Sequence, residues 1–178
     1  MEQYASYVKK AFKLGADDAR VIGAGSIVTG PWVRWKCRYG CGMYGSSLCC
    51  PPHSPDYRET GELIGSYAHA LLIRYKKGFR SKTHPTAIAS TLARDLFLAG
   101  YYRAFALGEG PCMLCRKCAL ERCVHPDKAR PSMEACGIDV YSTARNNGFS
   151  VHVLTEDFDR IMAGESCDIN RYGLVLIE

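Results

Sequence analysis

Apolar residues at Tyr4, Tyr7, Val8, Ala11 and Phe12 recur at the i, i+3, i+4, i+7, i+8 spacing of a helix with one buried face, and Gly15 stops it. The next apolar segments, 19–23 and 26–29, are short and separated by glycines, which predicts a strand that bends or ends before Pro31. Asp56 with Glu59 three residues on is a capping-box pattern and starts a short helix toward Tyr67, despite Gly61 and Gly65. The run 68–75 has strand length. After Pro85, which suits a first helical turn, Ile88, Leu92, Leu96 and Ala99 recur down to Gly100 as a helix of about four turns. A strand over 101–107 follows, and strand, helix, strand at this spacing is the pattern of a right-handed parallel crossover. Further on, a turn of helix near 129–136, a helix capped by Asp139 and stopped at Gly148, a half-buried strand over 149–154 and a final strand over 172–178 complete the reading. The predicted class is α/β or α+β, with a mixed sheet flanked by helices.

Composition changes this picture little until the cysteines are counted. The 178 residues, 47% hydrophobic and 23% charged, suit a single domain spanning 1–178 with a proper core. No run approaches the roughly 18 apolar residues of a membrane span, and the first ten residues read as an amphipathic helix without an apolar signal core. The ten cysteines are therefore expected to be reduced ligands in a cytoplasmic protein rather than disulfides. The net charge of +5 is concentrated at Arg74, Lys76, Lys77, Arg80 and Lys82, and at Arg116, Lys117, Arg122, Lys128 and Arg130. Such runs are usually solvated faces; the sharper reading is a docking surface for an acidic redox partner or an anionic substrate. Nucleic acid is a poor fit, since there is no finger spacing with paired histidines and no aromatic interleaving of the basic run.

Eight of the ten cysteines fall in two windows, loops expected at 37–52 and 110–131. The second holds Cys112, Cys115, Cys118 and Cys123. Cysteines at i, i+3 and i+6 can wrap three corners of a cubane cluster, whereas tetrahedral zinc more commonly takes separated pairs. These four residues are assigned to one [4Fe–4S] cluster, with Cys123 also able to serve another. In the first window Cys37, Cys41, Cys49 and Cys50 are interleaved with Gly40, Gly42 and Gly45 and closed by Pro51-Pro52, which reads as a loop around a metal centre. Neighbours such as Cys49 and Cys50 project differently, so at most one should ligate a given centre. Cys50 is preferred because two prolines fix the chain after it, and Cys49 is read as a small buried hydrophobe. His53 and His125 are candidate ligands or proton donors, or ordinary loop histidines.

The chain resembles a family of cysteine-rich proteins catalogued as predicted metal-binding, domain of unknown function 2284. The resemblance rests on Lys36-Cys-Arg-Tyr-Gly-Cys41 with Tyr44-Gly45 and Cys50-Pro-Pro52, on Gly110-Pro-Cys-Met-Leu-Cys-Arg-Lys-Cys118, and on Cys123, Pro126, Arg130-Pro-Ser-Met-Glu134 and Gly137-Ile-Asp-Val140. It covers most of the chain. It implies metal binding, of iron–sulfur type, in anaerobic metabolism, and assigns no reaction. Cys37, Cys41 and Cys50 match its pattern; Cys49, Cys136 and Cys167 do not, which leaves the fourth ligand of the first centre open among those three or a non-protein group.

Three functions are compatible with these residues. The first is an electron-transfer protein with two clusters and a basic docking face. The second is a small reductase whose first cluster keeps an open iron position. The third is a zinc-stabilised interaction module without redox chemistry.

Overall fold

The computed structural model describes residues 2–75, 85–151 and 170–178. A 3-10 turn leads into helix α1 (Ala5–Leu14), whose last carbonyls are met by Gly15 in the left-handed region, φ 108°. Strand β1 (Asp18–Gly23) and a second 3-10 turn follow, then helix α2 (Pro31–Gly40), helix α3 (Tyr57–Gly65), strand β2 (His69–Tyr75) and helix α4 (Pro85–Leu98). Strand β3 (Phe105–Leu107), a 3-10 turn at Glu134–Cys136, helix α5 (Val140–Asn146) and strand β4 (Arg171–Leu176) complete the described elements. The capping box of α3 forms in full: Asp56 accepts from the N–H groups of Arg58 and Glu59, and Glu59 accepts from the Asp56 N–H.

Among the described residues four strands form one sheet in the order β1-β2-β4-β3, and every pair of them is antiparallel. The α+β class therefore holds, while the mixed sheet is corrected. β2 and β3 do run the same way on either side of α4, as the crossover pattern predicts, but β4 lies between them and pairs with both. The reason is burial. Leu174, Val175, Leu176 and Ile177 are all fully buried, so successive residues of β4 pack on opposite faces of the sheet and the strand belongs at its centre. β2 has the same character at Ala70, Leu71, Leu72 and Ile73.

Each face carries its own core. Leu71, Ile73 and Val175 pack beneath α1 and α4 with Ala11, Ile88, Leu92 and Leu96. Leu72, Leu174 and Leu176 pack on the other face with Ile64, Met133, Ile138, Val140 and Ala144. At roughly 1.5–3 kcal/mol for each fully buried large aliphatic side chain, these two layers carry the fold. The predicted strand over 149–154, the basic residues Lys76, Lys77, Arg80 and Lys82, and Cys167 fall wholly or partly outside the described residues.

Candidate metal centre

The first cysteine window is not a loop throughout. Pro31 occupies the first turn of α2, where its missing N–H costs nothing, and the helix carries Cys37 in its last turn. The glycines of the window argued for a loop, but helix α2 extends to Gly40 before the chain turns. Beyond it, the Tyr44 N–H donates to the Cys41 carbonyl at 3.1 Å and the Gly45 N–H to the Pro51 carbonyl at 2.7 Å, which folds the segment back on itself. The Pro51-Pro52 bond is cis. Arg34, one turn before Cys37, fixes this array to the body of the protein. Its Nη1 donates to the Ala135 carbonyl at 2.6 Å, to Ser54 Oγ at 2.7 Å and to the Pro55 carbonyl at 3.2 Å, while Ser54 Oγ itself donates to the Ala135 carbonyl at 2.7 Å.

The second window is built differently. It springs from the end of β3, and its base is closed where the Gly108 N–H donates to the Pro131 carbonyl at 2.8 Å and the Met133 N–H to the Gly108 carbonyl at 3.2 Å. Gly108 is required there, because a Cβ would come within 2.5 Å of the Thr86 hydroxyl. Glu109 is held by Arg171 of β4 at 3.3 Å. From Glu109 to Pro131 the chain forms no helix and no strand.

The nine described cysteines sort by place. Cys37 feels Cys41, Cys50 and the Glu134 carboxylate as electrostatic neighbours, and burial first, then the negative charge of these neighbours, raises its thiol pKa. Cys115 is likewise raised, by desolvation and then by Cys118, Cys112 and Cys123. Cys50 is buried and Cys41 exposed. Cys49, expected as a small buried hydrophobe, is only partly buried and belongs to the other array: it shares a hydrogen bond with Cys112 and lies near Cys123, and burial followed by Cys112 pushes its thiol up to about 12. Adjacent cysteines thus serve opposite sides, as their projection from the backbone requires. Cys136 is buried in the core, where desolvation pushes its thiol up to about 12, and Arg34 and Glu134 are its charged neighbours.

Cys112, Cys115, Cys118, Cys123 and Cys49 line one cavity of about 380 Å³, with His125 on its wall. His53 lies away from it, beside a separate cavity that includes Cys136. Among the described residues no three His, Cys, Asp or Glu side chains converge on a point suited to a single metal ion; the five thiols are spread around a space instead. One sulfur is already provided for. Cys118 accepts hydrogen bonds from the N–H groups of Leu120, Leu48 and Ala119, which hold its pKa below the ordinary thiol value. Leu120 adopts φ 64°, a left-handed conformation uncommon for its residue type, in this same turn. The donor set fits a soft, thiophilic group, and thiols that raise one another's pKa values deprotonate when a cation arrives, so binding releases protons and tightens with pH.

Glu134 is the residue that sequence reasoning passed over. It is partly buried in the turn packed on α2, where desolvation raises its carboxyl pKa above the ordinary range, against hydrogen bonding from Ser132. Its position at the end of the Arg130-Pro-Ser-Met-Glu134 motif was the available signal.

These features define an α+β protein that carries two thiol arrays on one framework. The chain belongs to the family of predicted metal-binding proteins designated DUF2284, whose model matches residues 20–177. No curated protein and no solved structure matches it. No helix of the described residues is long and apolar enough to cross a membrane.

Proposed function

We propose that the protein is an iron–sulfur protein that binds two [4Fe–4S] clusters, one at Cys112, Cys115, Cys118 and Cys123 and one at Cys37, Cys41 and Cys50, and acts in electron transfer. The observation that carries this reading is the single cavity bordered by all four thiols of the second array. The spacing of the array supports it, since cysteines at i, i+3 and i+6 can wrap three corners of a cubane, whereas zinc more commonly takes separated pairs. The backbone donors to Cys118 support it further, since hydrogen bonds to ligand sulfur are among the levers that tune a cluster's potential. Arg116, Lys117, Arg122 and Lys128 are exposed on the second array and fit an acidic redox partner.

A second reading is favoured by one feature of the first array. Cys49 is turned to the other side and Cys136 is committed to the core, so among the described residues Cys37 keeps Cys41 and Cys50 as its thiol neighbours, with Cys41 exposed. A cluster held by three protein thiolates offers an open position to a substrate, and the protein is then a small reductase. Anaerobic purification with iron, sulfide and zinc analysis tests both. About eight irons per chain are expected for two cubanes, with a brown colour. A cyanide-induced change in the resonance of one cluster selects the reductase, and two unresponsive clusters select electron transfer. Colourless protein with stoichiometric zinc overturns both in favour of a zinc-stabilised module.

A further inference from the structure

A further cavity lies between α4 and the ends of the second array, apart from the thiol-ringed one. It measures about 880 Å³, within the range of small-molecule sites, and is enclosed by one side of α4, the start of β3 and the two ends of the second array. The core face of α4 is Ile88, Leu92 and Leu96. A different stripe, Thr86, Ser90, Arg94 and Phe97, faces the cavity. Four of the protein's large exposed apolar side chains converge here: Phe97 (56% exposed), Phe105, Met113 (69%) and Leu114. Scattered singly these would mean little, but gathered around one hollow they mark a surface that something covers.

The polar groups say what. Arg94, Lys128 and Arg130 line the cavity against one carboxylate, Asp127. The side chains of Arg94 and Lys128 form no ion pair among the described residues. Arg130 lies over the Phe105 ring at 5.6 Å, and although its Nη1 reaches the Ala129 carbonyl at 2.7 Å, its Nε is buried with no hydrogen-bond partner. The Ser90 hydroxyl, which also lines the cavity, is buried and unpartnered as well. Such orphaned groups are costly, and a bound acceptor offsets that cost. We propose that this cavity is a binding site for a small organic anion, an apolar or aromatic body bearing a carboxylate. The body lies on Phe97, Phe105 and Met113, and the carboxylate faces Arg94 and Arg130. Cys112 lines this cavity and the thiol-ringed one, so the two share a wall and the bound molecule sits against the second array.

Calorimetric titration of the anaerobically purified full chain with 2-naphthylacetate and with its neutral amide tests the site, and reads binding directly whether or not iron is present. The acid should bind, with the amide about tenfold weaker or more, the factor that one charge-assisted hydrogen bond supplies. Arg94→Gln, on an exposed position, should bring the acid close to the amide. Ala87→Trp, on the exposed rim of α4, should abolish both. Equal binding of acid and amide, unchanged binding in Ala87→Trp, or failure of the acid to bind would each overturn the proposal.

Discussion

The two cysteine arrays sit on one framework but are held in place by different means. The first is anchored by the protein: its leading cysteine rides on a helix, its last is buried, and Arg34 ties it to the turn at Glu134–Cys136. The second is closed at its base and is met further along by Leu48 and Cys49 of the first window, and between Glu109 and Pro131 it has no regular structure, with Met113, Leu114, Leu120 and Val124 exposed. On the proposed reading, a segment with that little buried apolar surface draws its order from the group it binds. The contrast teaches that one array is preorganised by the fold, while the other, on the proposed reading, is organised by its ligand.

The largest expected effect tests that contrast directly. Removing the metal by chelation, or replacing Cys115 with serine, should release the amides of the second array to hydrogen exchange while α2 stays protected. A bound group present at about a thousandfold over its Kd stabilises by about 4 kcal/mol, so local protection should fall by about three orders of magnitude. Equal loss of protection in both arrays would erase the distinction. An effect of about 2–3 kcal/mol is expected for Arg34→Met, which strips the Ala135 carbonyl and Ser54 of a charged donor. Thermal or urea unfolding measures it, and the variant should lose metal from the first array alone. The smallest concerns Asp56, the cap of the helix that follows the first array. The backbone N–H groups of Glu59 and then Arg58 hold its carboxyl pKa below the ordinary value. The unfolded chain therefore takes up a proton first, and the cap's contribution is complete above the ordinary carboxylate pKa and is lost as pH falls through the lowered one. Asp56→Asn should keep the helix and flatten this acid-limb dependence; an unchanged pH profile would show that the cap does not hold the array's exit.

Much of this was legible in residues. The α1 stripe with its Gly15 stop, the Asp56 capping box and the Asp139 cap were read from local chemistry because they are local. Strand order was not, since the insertion of β4 between β2 and β3 is decided by pairings far apart in sequence, such as Ala70 with Leu176 and Leu107 with Leu174; only the unbroken apolar run 174–177 hinted that β4 was central. The helix under Cys37 was missed because the glycines outweighed Pro31, which in fact marks the first turn. The partnership of Cys49 with Cys112 could not be read at all, because spacing along a chain says nothing of which distant loop folds over it.

One peptide bond separates Cys49 from Cys50, and the residue before them donates its N–H to Cys118 across the gap. The thermodynamic consequence is reciprocity. On the proposed reading, a group held by the second array bears on Leu48 and Cys49, and through them on the backbone of Cys50 in the first. Any factor by which filling one array alters the affinity of the other must then be returned in equal measure, so that loading the two in either order closes the same cycle.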